Sequence, residues 1–129
     1  MPTPELPPAG ELCELVAAAA DLCRRPLRHG VRCQVPSDSD QALQECCLLL
    51  EARDPAGQRL PADDLELELY PSGADLHLTL AWCTDPDRPL LWHGSHPVWM
   101  EAATGQRCER PEQGPPLESL ARRLRALLA

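Results

Sequence analysis

The sequence predicts an α+β fold: a mainly antiparallel meander sheet of five to seven strands, flanked by an N-terminal and a C-terminal helix. The strongest observation is the segment 65–82, where leucines alternate with polar residues on both sides of a Pro-Ser-Gly-Ala turn. Such period-two alternation places one face of a hairpin in a core and the other in water. Apolar residues at helical spacing near both ends of the chain predict the two helices.

The length and composition predict one domain. A chain of 129 residues buries roughly two thirds of its unfolded surface, which is enough for one core. Residues 1–10 hold four prolines and a glycine and are predicted to be a disordered lead, which leaves 11–129 as a single α+β domain. There is no cationic leader and no long apolar run, so we expect a cytoplasmic protein that does not enter a membrane.

The first helix is predicted from about residue 11 to residue 25, where Pro26 ends it. Its apolar positions recur at helical spacing, at Leu12, Leu15, Val16, Ala19 and either Leu22 or Cys23. A basic cluster follows, and we interpret it as a solvated helix end that offsets the helix dipole. The cluster consists of Arg24, Arg25, Arg28, His29 and Arg32.

The segment between the first helix and the central hairpin predicts two further strands. Val31, Cys33 and Val35 alternate before a proline, which is typical of a short edge strand. Residues 38–53 are ambiguous, because they begin like a helix with a capping box and continue as an apolar run. The turn at 54–57 favours a strand over about 45–53, while a helical beginning stays open.

Beyond the hairpin, residues 90–93 resume the sheet until Gly94 and Pro97 interrupt it. Residues 98–101 and 106–109 flank a four-residue loop, in which Gly105 is expected to take a left-handed conformation. A last helix follows the Pro-rich segment 111–116. Its apolar stripe is predicted to consist of Leu117, Leu120, Leu124, Leu127 and Leu128.

The net charge and the absence of known motifs exclude several classes of function. The net charge is −8 and the acidic residues concentrate in the sheet segment, which argues against nucleic-acid binding. No glycine-rich phosphate loop is present, so no cofactor is predicted. The seven cysteines form no C-x-x-C pair and are expected to be reduced thiols that pack as small apolar groups.

We therefore predict a non-enzymatic adaptor or assembly factor that binds another protein through one sheet face. The composition lacks Phe, Ile, Asn and Lys, which a GC-rich genome explains. In general character, and not in any motif, the sequence resembles small bacterial accessory proteins. The partner's identity is open, and a homodimer is one possibility. An aromatic anchor with a charged rim is typical of such a surface. The predicted residues are Trp99, Trp92, Glu66, Glu68, Leu91 and His93, with Trp99 lying either on this surface or in the core beneath the last helix.

Two alternatives stay open. The first is a small metal- or ligand-binding domain centred on His93 and His96, with His77 and Cys83 nearby; residues three apart on a strand face opposite sides unless a bulge rotates one of them. The second is a small hydrolase. If Leu69 pairs with Leu76 and Trp82 pairs with Leu90, then Glu68, His77 and Ser95 form a row across three strands.

Overall fold

The chain folds as a six-stranded antiparallel sheet with two helices, and consecutive strands in the chain are neighbours in the sheet. The computed structural model describes residues 9–33, 46–72, 75–85, 87–112 and 114–128. This architecture confirms the predicted α+β meander with a helix near each end. The elements are α1 (Ala9–Cys23), β1 (Arg28–Cys33), β2 (Cys46–Arg53), β3 (Leu65–Ser72), β4 (Asp75–Trp82), β5 (Leu90–His93), β6 (Pro97–Met100) and α2 (Gly114–Leu128).

The central hairpin of β3 and β4 is tighter than the sequence suggested. Leu67 lies opposite Leu80 and Leu69 lies opposite Leu78, so the predicted pairing of Leu69 with Leu76 is wrong. The strands continue as far as Ser72 and Asp75, which face each other. Residues 73 and 74, between the two strands, lie outside the described residues.

The next strand pairs in a register that reverses its predicted faces. Leu80 lies opposite Leu91 and Leu78 lies opposite His93, whereas we predicted Trp82 opposite Leu90. The true register differs from the predicted one by an odd number of residues. An odd shift moves every side chain of a strand to the other face, so Leu91 and His93 point toward the leucines of β4 and not into water.

One face of the sheet, which we call the covered face, packs on both helices. Its side chains belong to a continuous apolar core together with Leu12 and Val16 of α1 and Leu120 and Leu124 of α2. Leucines of β2 to β5 on this face are fully buried. Two residues of the predicted helical stripes are exceptions, since Leu22 of α1 is 41% exposed and Leu127 of α2 is 52% exposed. Cys23, the alternative to Leu22, packs against the core.

Several element ends differ from the predictions. Helix α1 begins at Ala9, so residues 9 and 10 belong to the helix and not to the lead, while residues 1–8 lie outside the described part. Strand β1 starts at Arg28 and is an edge strand, as predicted. Strand β2 confirms the strand interpretation of 46–53; residues 34–45, with the proposed capping box, lie outside the described residues.

The predicted loop after β6 is present. Gly105 has a φ of 71°, and the Glu101 amide donates to the Gln106 carbonyl over 2.8 Å. The second arm, however, is reduced to a single bridge between Met100 and Arg107. Neither of the helices in the described ranges is long and apolar enough to cross a bilayer.

Candidate protein-binding surface

The second face of the sheet, which we call the open face, packs on neither helix. Alternation along each strand brings to it the residues that do not belong to the core. Most of its side chains are half-buried by their neighbours on the sheet, and a few are exposed. Its members include Cys47, Leu49, Glu51, Glu66, Glu68, Tyr70, His77, Thr79, Ala81, Leu90, Trp92, Val98 and Met100.

An aromatic cluster occupies the half of the open face formed by β3, β4 and β5. The indole nitrogen of Trp92 donates a hydrogen bond to the Tyr70 hydroxyl over 2.6 Å. The His77 ring stands edge-on to both, with its centroid 5.6 Å from that of Tyr70 and 5.2 Å from that of Trp92. Edge-to-face packing at these distances is favourable, so the three rings form a fixed apolar surface.

Gly94 helps to fix the position of Trp92. A Cβ atom placed on Gly94 would lie 2.5 Å from the indole atom Cη2 and 2.9 Å from Cζ2. A side chain at residue 94 would therefore displace the ring. The glycine that ends β5 thus serves a close approach of the indole to the backbone, which sets where Trp92 lies on the open face.

An acidic corner lies on β2 and β3, beside the aromatic cluster. The Cys47 thiol donates to Glu66 Oε1 over 3.3 Å, and the ligand atoms of Cys47, Glu66 and Glu68 all lie within 4.8 Å of one another. Burial, together with the neighbouring carboxylate of Glu66, raises the pKa of Cys47 to about 12. The thiol is therefore protonated at neutral pH and is a weak nucleophile.

The carboxylates of the open face differ in their partners. Glu51 is paired, since Arg32 Nε lies 2.8 Å and Arg59 Nη2 lies 3.2 Å from its oxygens. Glu66 and Glu68 form no ion pair with any residue that the structure describes. Within the described part of the chain, two negative charges without a cation therefore adjoin the aromatic cluster.

Three of the predicted surface residues lie on the covered face. Leu91 is fully buried, His93 is 2% exposed and Trp99 is 5% exposed. Trp99 lies opposite Leu91, and its indole nitrogen donates to Glu118 Oε2 of α2 over 2.9 Å. The prediction that these three side chains form an exposed surface is corrected, because the register of β5 and β6 turns them toward the helices. Trp92, Glu66 and Glu68 do lie together on the open face.

The proposed hydrolytic row does not form. Glu68 lies opposite Thr79, and His77 lies opposite Tyr70. Ser95 is in the exposed bend between β5 and β6, after the last paired residue of β5. The row required the wider turn after β3 and the other register of β5, and both of these predictions are wrong.

The proposed histidine pair also separates. His96 is exposed in the bend, whereas His93 is buried beneath α2, with its Nδ1 2.9 Å from the Gly94 carbonyl oxygen. Burial lowers the pKa of His93. His77 lies on the open face and Cys83 lies beyond the end of β4. These four side chains therefore share no coordination geometry.

Sequence reasoning missed some members of the open face. Tyr70 continues the alternation of Glu66 and Glu68 and was recoverable from that period. Leu90, Val98 and Met100 were not, since β5 and β6 are four residues long and carry no clear alternation of their own.

In the comparison with known proteins, one family model matches the chain, and its description names no activity. The family model described as "Domain of unknown function (DUF8659)" matches residues 13–127. No curated protein and no solved structure matches the chain.

Proposed function

The chain belongs to the family of the domain of unknown function DUF8659, and from its geometry we propose that it is a non-enzymatic accessory factor that binds another protein in the bacterial cytosol. The observation that carries the proposal is the open face, where an ordered aromatic cluster adjoins two carboxylates that no described cation pairs. Aromatic anchors beside a charged rim are the usual composition of a protein-binding surface.

The aromatic half supplies an anchor with little entropy to lose. Trp92 is held by the Tyr70 hydroxyl, by the His77 ring and by its contact with Gly94. A side chain that is already fixed in the free protein costs less to immobilise on binding. Leu90, Val98 and Met100 extend the apolar area toward the sheet edge.

The acidic half selects the charge of the partner. Glu66 and Glu68 lack a cation among the described residues, so a partner that brings arginine or lysine side chains gains charge complementarity. A second copy of this chain, related by a two-fold axis through this face, would bring the same carboxylates toward each other. We therefore favour a basic partner over a homodimer.

The width of the open face across the strands matches the length of a single helix. Six strands spaced about 4.8 Å apart span about 24 Å, which is the length of a helix of about 16 residues. We propose that the bound element is a cationic amphipathic helix of the partner, whose apolar stripe covers Trp92 and whose basic edge faces Glu66 and Glu68.

The test uses two synthetic helical peptides with the same leucine stripe, one with arginine and lysine and the other with glutamate on the polar positions. We expect the cationic peptide to bind, with NMR shift changes at the side chains of the open face and at the backbone amides of the sheet, and with none on the two helices. Trp92→Ser is expected to weaken binding about tenfold or more, as the loss of a central anchor does. Glu66→Gln with Glu68→Gln is expected to weaken it about fivefold, with less effect at high salt.

The matched control is Glu11→Gln with Glu14→Gln, which removes the same charge from two exposed positions on α1. It is expected to leave the affinity unchanged within twofold. Equal weakening by both double variants would show attraction to net charge alone and would refute the site. Shift changes on the helices, or tighter binding of the anionic peptide, would also contradict the proposal.

A further inference from the structure

A cavity of about 380 Å³ lies at one end of the sheet, between the end of α1, the end of β4 and the start of α2. It is separate from the open face. We call it the Arg24 cavity. The lining residues that matter here are Arg24, Pro26, Leu27, Asp63, Glu112 and Pro116.

Arg24 is a buried cation with an incomplete set of partners. The sequence suggested a solvated helix end, but the side chain is only 7% exposed. Its Nη1 lies 2.9 Å from His29 Nε2, and His29 Nδ1 lies 3.0 Å from Asp21 Oδ1. His29 thus donates from Nδ1 to the carboxylate and accepts from Arg24 at Nε2, which makes it a neutral partner for the guanidinium.

No carboxylate among the described residues lies within ion-pair distance of Arg24. The nearby Asp64 is already occupied, because Arg59 binds both of its oxygens at 2.9 and 2.8 Å. A guanidinium carries five N–H donors, and within the described ranges Arg24 forms a side-chain hydrogen bond with His29 alone. Among the described residues, His93 Nε2 alone is a buried side-chain nitrogen or oxygen without a hydrogen-bond partner, so the remaining donors of Arg24 reach solvent. A largely buried guanidinium with accessible donors beside a cavity is a reason to look for an anionic ligand.

Part of the cavity wall is apolar and accessible, since Pro26 and Pro116 are exposed and Leu27 is half-buried. Trp82 and Leu117 are 6% and 1% exposed and offer little surface. The guanidinium carbons of Arg24 and Arg88 lie 5.7 and 3.6 Å from the centroid of the Trp82 ring. A cationic donor beside two prolines and a leucine complements a molecule with an anionic end and an apolar body. A planar carboxylate fits the guanidinium fork through two parallel hydrogen bonds.

The acidic residues that line the cavity limit the charge of the ligand. Asp63 is half-buried and Glu112 is exposed, and both would repel a dianion more than a monoanion. We propose that the Arg24 cavity binds a small organic monocarboxylate, with its carboxylate on the guanidinium of Arg24 and its apolar body against Pro26, Leu27 and Pro116. This site is independent of the function proposed for the open face.

The probes are 2-naphthoate, the neutral 2-naphthamide and inorganic phosphate, titrated into the full chain at constant ionic strength. Saturable binding of naphthoate is expected, with NMR shift changes at the amides of residues 24, 82 and 117. Naphthamide is expected to bind at least tenfold more weakly, since it lacks the charge. Binding of phosphate in preference to naphthoate, or equal binding of the acid and its amide, would overturn the proposal.

Variants of the chain distinguish binding of naphthoate in the Arg24 cavity from general attraction of the anion to arginine side chains. Arg24→Gln is expected to abolish naphthoate binding, whereas the exposed Arg107→Gln is the matched control and should leave it unchanged. Glu112→Gln is expected to tighten binding about two- to fivefold, because it removes a like charge from the cavity. This gain does not require altering a buried residue, so the proposal remains refutable if Arg24→Gln fails to fold. Unchanged or weaker binding to Glu112→Gln would count against the cavity.

Discussion

The two faces of the sheet are made by the same strands and differ in what covers them. On the covered face, leucines of β2 to β5 meet the apolar stripes of α1 and α2 and are fully buried. On the open face, Leu49, Trp92, Val98 and Met100 are only half-buried, beside the carboxylates of Glu66 and Glu68. The chain supplies a layer for one face, and the described residues supply none for the other.

The difference separates a face that stabilises the fold from the face that we propose for recognition. A two-layer domain needs one buried sheet face and can leave the other in water. Residues of the covered face then contribute mainly to folding, while residues of the open face are available to a partner. These two roles can be separated by comparing the stability of matched pairs of variants, or of one variant at two pH values.

The largest expected effect separates the two tryptophans. Trp99→Ala is expected to lower the free energy of unfolding by about 3–5 kcal/mol, because it leaves a cavity in the core and removes the hydrogen bond to Glu118. Trp92→Ala should cost about 1 kcal/mol, since its ring is already partly exposed to water. Urea denaturation of both variants measures the difference. Equal costs would mean that the open face is covered in the folded protein and would break the comparison.

The sequence predicted the fold and only part of the surface, and the reason is register. The alternation within 65–82 is long and strict enough to assign both faces of β3 and β4 correctly. The faces of β5 depend on how many residues of its connection to β4 form the loop and how many continue the strands. A shift of one residue exchanges the two faces, which is why the predicted surface wrongly includes Leu91 and His93.

The same limit applies to Arg24. Local pattern placed it correctly at the end of a helix, but its burial depends on Trp82, on the Asp63–Asp64 segment and on the start of α2. These groups lie far away in the sequence. Secondary-structure propensity and hydrophobic periodicity describe one helix or strand at a time. A cavity that forms where three elements meet therefore leaves no pattern in the local sequence.

A smaller effect is expected at Asp64, which illustrates a buried polar group with a complete set of partners. Its Oδ1 accepts from the Ala52 amide over 2.7 Å, and Arg59 binds both of its oxygens. Burial alone would raise the pKa of Asp64, but the hydrogen bonds from Arg59 and Ala52 outweigh it and hold the pKa below the usual value. Asp64→Asn is expected to cost about 1–3 kcal/mol at pH 7.

The sign of the pH dependence follows from the lowered pKa. The ionised carboxylate stabilises the folded state above the unfolded pKa of about 3.9, and this contribution disappears as the pH falls through the lower folded value. The gap between the wild-type protein and Asp64→Asn should therefore narrow from pH 7 to pH 3. The exposed Asp87→Asn is the control. A gap that stays constant with pH would show that Asp64 acts through packing and not through its charge.

The smallest effect is expected at His93 on the covered face, a buried polar group that, unlike Asp64, lacks one of its hydrogen-bond partners among the described residues. Its Nε2 is buried and, among the described residues, has no hydrogen-bond partner. Burial lowers the pKa of His93, so the unfolded chain takes up a proton first as the pH falls, and the folded state loses stability below about pH 6.5. Leucine has a similar size and no unsatisfied nitrogen. His93→Leu is therefore expected to raise the free energy of unfolding by up to about 1 kcal/mol at pH 8.

The gain from His93→Leu should grow between pH 8 and pH 5.5, because the variant no longer has the group that titrates. Part of the acid loss remains in the variant, since burial also lowers the pKa of His29. His96→Leu, in the exposed bend, should show neither the gain nor its growth. If His93→Leu instead destabilises the protein at pH 8 by more than about 1 kcal/mol, then either the hydrogen bond between Nδ1 and the Gly94 carbonyl or a solution partner of Nε2 outweighs the gain. In that case the covered face carries a polar contact of its own, and the contrast between a face for folding and a face for recognition is weaker than the two tryptophans suggest.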